Sequence, residues 1–123
     1  MTYNGQELAA LVSLGVKMAQ ADGSVTESEQ VAIAAELVTF GVSSEQLPAI
    51  LAASTLMNGP EVMSIVSAMS DNQKRYACGY LAAIMVADGD INNKEVEIWR
   101  LICTLGRFPE MTFQEALIFW KNN

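Results

Sequence analysis

Between Gln6 and Ala21 the polar positions Gln6, Ser13, Lys17 and Gln20 follow helical spacing and leave a wide apolar surface. That pattern predicts a mostly buried first helix. Val25 and Thr26 open a second helix to about Phe40, with Gly41 as its stop. Ser43 and Ser44 begin a third segment, in which Pro48 suits the first turn. Asn58-Gly59-Pro60 is a stop followed by a start, giving a short fourth helix to Met69. Ser70-Asp71-Asn72-Gln73 has capping-box spacing and opens a fifth. Within it YACGYLAAIMVA, Tyr76 to Ala87, carries no charge on any face. At about 1.5 Å per residue this run falls well short of the ~30 Å hydrocarbon thickness of a membrane, so it belongs in a core. A sixth helix runs from Asn92 to about Leu105, stopped by Gly106. Thr112 to Glu115, another capping box, starts a last helix through Trp120. No segment alternates as a strand would. The prediction is an all-α fold of about seven helices.

Two of the junctions repeat one another. AQADGSVTESE (Ala19 to Glu29) and MVADGDINNKE (Met85 to Glu95) both set Ala-Asp-Gly at the end of an apolar run. Asp22 and Asp88 stand 66 positions apart, and at that offset Ala21, Gly23 and Glu29 match Ala87, Gly89 and Glu95, while Val25 matches Ile91 by type. The chain therefore reads as one domain over residues 1–123 holding two helix-loop-helix repeats, about 6–41 and 72–106. Their buried helices are expected to meet near a pseudo-twofold axis. Small residues (Ala9, Ala10, Gly15, Gly79, Ala82, Ala83) would allow close approach there.

Composition narrows the function. The chain has 123 residues, 51% of them hydrophobic, which suffices for one domain with a core. A net charge of −7, with seven scattered basic residues, suits neither nucleic acid nor an anionic membrane surface. Cations and protein partners are the better expectation. There is no histidine, so the usual general base and every Ser-His or Cys-His pair are missing. No phosphate-binding loop or organic-cofactor motif replaces them, and no enzyme is expected. Cys78 and Cys103 are far apart in sequence, lack CxxC spacing, and read as two buried, reduced thiols of a cytoplasmic protein. They make a zinc site unfavourable. The N-terminus has no basic n-region and no run long enough to span a membrane.

Much of the repeated junction is helix punctuation. Gly23 and Gly89 suit a left-handed residue that ends a helix. Thr26 and Asn92 suit N-caps, Glu29 and Glu95 complete capping boxes, and Val25 and Ile91 can staple the new helix to the core. Asp22 and Asp88 fit less well, because a carboxylate at a helix C-terminus faces the negative end of the macrodipole. Two compensations are open. The side chain can accept backbone N–H groups in an Asx-turn, or it can share a Ca²⁺ or Mg²⁺ ion with the following Glu, as hard oxygen donors do. An EF-hand is not the answer. With Asp at position five of such a loop, positions one and three fall on Met18 and Gln20, or on Ile84 and Val86, none of them a carboxylate.

The duplicated Ala-Asp-Gly-x-[Val/Ile]-x-x-x-Glu in a helical domain of this size resembles the TerB-like family, named for a tellurite resistance protein. A related domain occurs in a membrane-attached J-domain co-chaperone. The likeness extends from about residue 8 to 110. It implies an all-helical fold with internal pseudo-symmetry and a role in binding divalent metal within stress-response assemblies. Carried over, the metal-binding positions are Asp22 and Glu29 in the first loop and Asp88 and Glu95 in the second. Asp90 adds a carboxylate where the first loop has Ser24. The expected function is thus a non-enzymatic module that takes Ca²⁺ or Mg²⁺ in preference to Zn²⁺. The alternative is a metal-free protein–protein interaction module whose loops are only caps. On that alternative Phe113, Leu117 and Trp120, which share one face of the last helix, either meet a partner or fill the core.

Overall fold

Short polar caps start most of the helices. In the computed structural model, which describes residues 2–20, 26–87, 91 and 93–123, Asn4 caps α1 (Gly5–Ala19) and Thr26 caps α2 (Glu27–Thr39). Pro48 lies in the first turn of α3 (Leu47–Leu56), and Asn58 caps α4 (Gly59–Ser67). Ser70 opens α5 (Asp71–Val86), α6 spans Asn93–Leu105, and Thr112 opens α7 (Phe113–Asn122). Among the described residues there are seven helices and no strand, so the chain is all-α. The boundaries lie within two residues or so of those expected, and the Asn4 box was not foreseen.

The centre of the domain is the pair α1 and α5. Leu11, Leu14 and Met18 from the first meet Leu81, Ile84 and Met85 from the second, all nearly inaccessible, with Leu37, Val62, Val66 and Ile102 closing around them. Burying one such side chain contributes about 1.5–3 kcal/mol, so these few residues dominate the stability. α3 packs along α1, and α7 packs along α5. The last helix is therefore part of the core. Trp120 sends its indole N–H to Glu36 at 3.2 Å, and the Phe113 ring sits edge-on to Trp99 at 5.7 Å.

The two glycines expected between the central helices have different partners. Gly15 of α1 does face α5, where a Cβ would come within 2.6 Å of the Tyr80 hydroxyl. Gly79 of α5 faces α7 instead, directly under the Ala116 carbonyl and Trp120. Its missing Cβ sets how closely the last helix seats, not how closely α1 and α5 approach.

Three pairs of helices keep a fixed register. Gly5 and Asp71, which begin α1 and α5, are 66 residues apart, as are Glu27 and Asn93, and Leu47 and Phe113. Glu7 and Gln73, also separated by 66, touch each other across the molecule, Gln73 Nε2 donating to Glu7 Oε1 at 3.4 Å. The helix ends follow the same register. α2 closes with Gly41 N–H on Val38 O at 2.9 Å and Val42 N–H on Leu37 O at 3.1 Å, Gly41 taking φ +78°. α6 closes with Arg107 N–H on Thr104 O at 3.2 Å and Phe108 N–H on Cys103 O at 2.9 Å. Here the left-handed residue is Arg107, φ +54°, one position beyond the stop at Gly106. The buried Lys74 ammonium donates to the Arg107 carbonyl at 3.3 Å and secures this strained corner.

Candidate metal centre

A helix that opens with a capping box spends one carboxylate oxygen on its own backbone. At α2, the Thr26 N–H donates to Glu29 Oε1 at 2.8 Å, and the Glu29 N–H donates to Thr26 Oγ1 at 3.2 Å. The cap is as the sequence predicts. What it does not require is burial, and Glu29 is only 1% exposed. Glu95, in the first turn of α6, is 2% exposed. Carboxylates are rarely so enclosed unless paired, hydrogen-bonded or coordinating. Each of these two lies one short loop beyond a central helix, in the same position of its own helix.

Asp22, Asp88 and Asp90, the other candidate ligands, lie outside the described residues, as do Gly23, Val25, Gly89 and Asn92. Among the described residues no group of three or more His, Cys, Asp or Glu is placed to hold a metal ion. The described part of the centre is thus two buried carboxylates at helix N-termini, oxygen donors of the kind that Ca²⁺ and Mg²⁺ select. Ile91 differs from its expected role as a staple: it is 46% exposed and borders a surface cleft.

A third buried carboxylate was not anticipated. Glu36 on α2 is 7% exposed and accepts hydrogen bonds from the Tyr76 hydroxyl of α5 and the Trp120 indole of α7. Burial pushes its carboxyl above the usual range, while the hydrogen bonds from Tyr76 and Trp120 pull it back. Tyr76 joins Phe40 and Tyr3 in an edge-to-face cluster, and the Tyr3 hydroxyl donates to the Gln73 carbonyl at 2.6 Å. Glu36 has all the marks of a structural tie between three helices. Sequence gave no sign of it, because its partners are 40 and 84 residues away.

Fold and site together define a class: an all-helical domain whose two central helices each lead, through an acidic loop, into a helix opened by an enclosed glutamate. The chain belongs to the TerB family, since the family described as tellurite resistance protein TerB matches residues 8–117. The crystal structure of a protein of unknown function from Porphyromonas gingivalis W83 is similar throughout, with a TM-score of 0.85 and 35% identity, covering 100% of this chain and 99% of that one. No curated protein matches the sequence significantly. Among the described residues no single helix is long and apolar enough to cross a membrane.

Proposed function

We propose that this domain is a non-enzymatic cation-binding module, in which Asp22 and Glu29 form one site and Asp88, Asp90 and Glu95 form the other. The ion is Ca²⁺ or Mg²⁺, the donors being carboxylate oxygens without thiolate or imidazole. The observation that carries this reading is the enclosure of Glu29 and Glu95, 1% and 2% exposed, at the same place in two helices. Where the same Thr–Glu cap acts alone, at Glu115 of α7, the carboxylate stays at the surface. An ion offsets the cost of holding negative charge away from water and of placing Asp22 and Asp88 at the negative ends of helix dipoles. The shared register of α1–α3 and α5–α7 supports two duplicated halves, about 6–41 and 72–106, within one domain over 1–123. In the cytoplasm such a module serves a stress-response assembly, its ion setting stability or the shape offered to a protein partner.

Calorimetric titration tests this. Ca²⁺ or Mg²⁺ added to the metal-free protein gives saturable heat, and the double variant Asp22→Asn with Asp88→Asn gives none while remaining folded. Absence of saturable heat with Ca²⁺, Mg²⁺ and Mn²⁺ contradicts the reading and favours the metal-free interaction module.

A further inference from the structure

The two cysteines, 25 residues apart and without a motif, are brought together by the packing of α5 against α6. Their sulfurs lie 3.5 Å apart, in hydrogen-bond contact. Both are free thiols; Cys78 is buried and Cys103 half-buried. Both line a cleft of about 680 Å³ between α6 and the segment leading into α7, whose walls include Trp99, Arg100, Phe108 and Phe113. The wall is braced. The Trp99 indole donates to the Cys78 carbonyl at 3.1 Å and packs edge-on against Phe113.

Packing does not require sulfur at this contact. The positions 66 residues earlier are Val12 and Leu37, on α1 and α2, and both are buried. They line a smaller cleft of about 330 Å³ with Ile33 and Leu47, the counterparts of Trp99 and Phe113 at the same offset. Hydrocarbon fills that contact in one half and a thiol pair fills it in the other. Within the pair Cys78 is the enclosed residue and Cys103 the more exposed one.

We infer that Cys78 and Cys103 form a reversible, oxidant-driven disulfide, with Cys103 the sulfur that meets hydrogen peroxide in the cleft and Cys78 the sulfur that resolves it. In the first step the Cys103 sulfur attacks one peroxide oxygen. An S–O bond forms, the O–O bond breaks, and the departing hydroxide leaves as water with the thiol proton. In the second step the Cys78 sulfur displaces the hydroxyl of that sulfenic acid. The S–S bond forms, the S–O bond breaks, and the Cys78 proton leaves in a second water. The sulfur pair gives up two electrons and the peroxide is reduced to water. The order follows from access, since Cys78 is only 1% exposed and Cys103 is the more exposed of the two. Its thiol is also held well above the usual range, first by the hydrogen bond to Cys103 and then by burial, which disfavours the thiolate that begins the attack. The sulfurs need to close only from contact to the ~2.05 Å of a bond. The bond ties α5 to α6 around the chain segment that holds Asp88, Asp90 and Glu95. It acts on the second half of the domain alone. The inference stands apart from the cation reading and survives its failure.

The test is mass spectrometry and thiol counting of the dilute, folded full chain treated with hydrogen peroxide. The expected product has lost both free thiols and the mass of two hydrogens, maps to a Cys78–Cys103 cross-link within one molecule, and returns to the starting mass with dithiothreitol. Cys78→Val and Cys103→Leu copy the pair found in the other half, so both are expected to fold. In C78V the Cys103 sulfenic acid persists and is trapped by a cyclic 1,3-diketone, whereas in C103L the Cys78 thiol stays reduced. Two thiols that survive in the parent, separate climbing of both sulfurs to sulfinic acids, or disulfides only between molecules would each overturn the proposal. Oxidation of Cys78 in C103L at the parental rate would overturn the assigned order.

Discussion

Helices α2 and α7 begin with the same two residue types in the same arrangement. Thr26 and Glu29 exchange hydrogen bonds of 2.8 and 3.2 Å, and Thr112 and Glu115 exchange bonds of 2.9 and 3.1 Å. Yet Glu29 is enclosed, while Glu115 is exposed. Local chemistry is satisfied equally at both ends. At α7 that chemistry is the whole account: the Thr112 amide, and then its hydroxyl, hold the Glu115 carboxyl below its ordinary value in open solvent. At α2 the fold has in addition carried a carboxylate inward. The difference teaches that a capping box is a sufficient reason for the residue type but not for its burial. Glu95, with the same enclosure in the first turn of α6, makes this a property shared by α2 and α6.

The most forceful way to break the comparison is to delete both glutamates. Glu29→Ala removes a cap and strands the Thr26 amide in a part-buried site, costing about 3 kcal/mol. Glu115→Ala, whose amide partner turns to water, costs far less. Denaturant unfolding of the two variants measures the gap, and equal losses would mean that Glu29 is a surface cap like any other.

A smaller effect comes from the helix ends. Gly41 and Arg107 occupy the same left-handed corner after α2 and α6. Arg107→Gly relieves a conformation that a side chain makes costly and raises stability by about 1 kcal/mol, and Gly41→Ala lowers it by a similar amount. Urea midpoints check both. A fall for R107G would show that the arginine side chain does something at this corner beyond tolerating it.

The mildest effect is a slope with pH. Glu36 is buried like Glu29, but its partners are the Tyr76 and Trp120 side chains. Its folded-state carboxyl is raised above the unfolded value, so the stability tied to the protonated form is fully present below the unfolded value. That stability is lost as pH rises through the folded value. Glu36→Gln keeps a hydrogen-bonding group without the charge. The variant is therefore expected to gain on the parent as pH rises through this window, and melting curves across pH would read a flat difference if the carboxyl were not raised.

Helix punctuation is the part of this molecule that its sequence states openly. Caps at Thr26, Ser70 and Thr112, Pro48 in a first turn, and the uncharged run of α5 all act within a few residues, so seven helices and two central ones follow from local rules. What remained hidden depends on which helix faces which. Gly79 reads as a contact between central helices, but it lies under α7. Gly106 stops α6 as read, but the left-handed residue of that corner falls one position later, on Arg107. Cys78 and Cys103 read as two reduced thiols, which they are, but not as neighbours, and nothing marks Glu36 as the partner of Tyr76 and Trp120. Apart from that corner, each of these concerns a contact made across tens of residues, where spacing along the chain carries no information. The acidic loops sit between these extremes. Their residue types were legible as a repeat, and the enclosure of Glu29 and Glu95 came only with the packing.

The central claim is that the loop carboxylates hold an ion beyond their work as caps, and the melting temperature of the double variant Glu29→Gln with Glu95→Gln tests it most directly. Glutamine keeps the capping oxygen and gives up the charge. In the parent, Ca²⁺ or Mg²⁺ at about 100 times the dissociation constant stabilises the folded state by about 2.7 kcal/mol for each site filled, a rise of roughly 10 °C per site. The account predicts that rise in the parent and its loss in the variant, which stays folded and melts no lower than the parent does without metal. A parent indifferent to every divalent cation, or a variant that responds as fully as the parent, would contradict it.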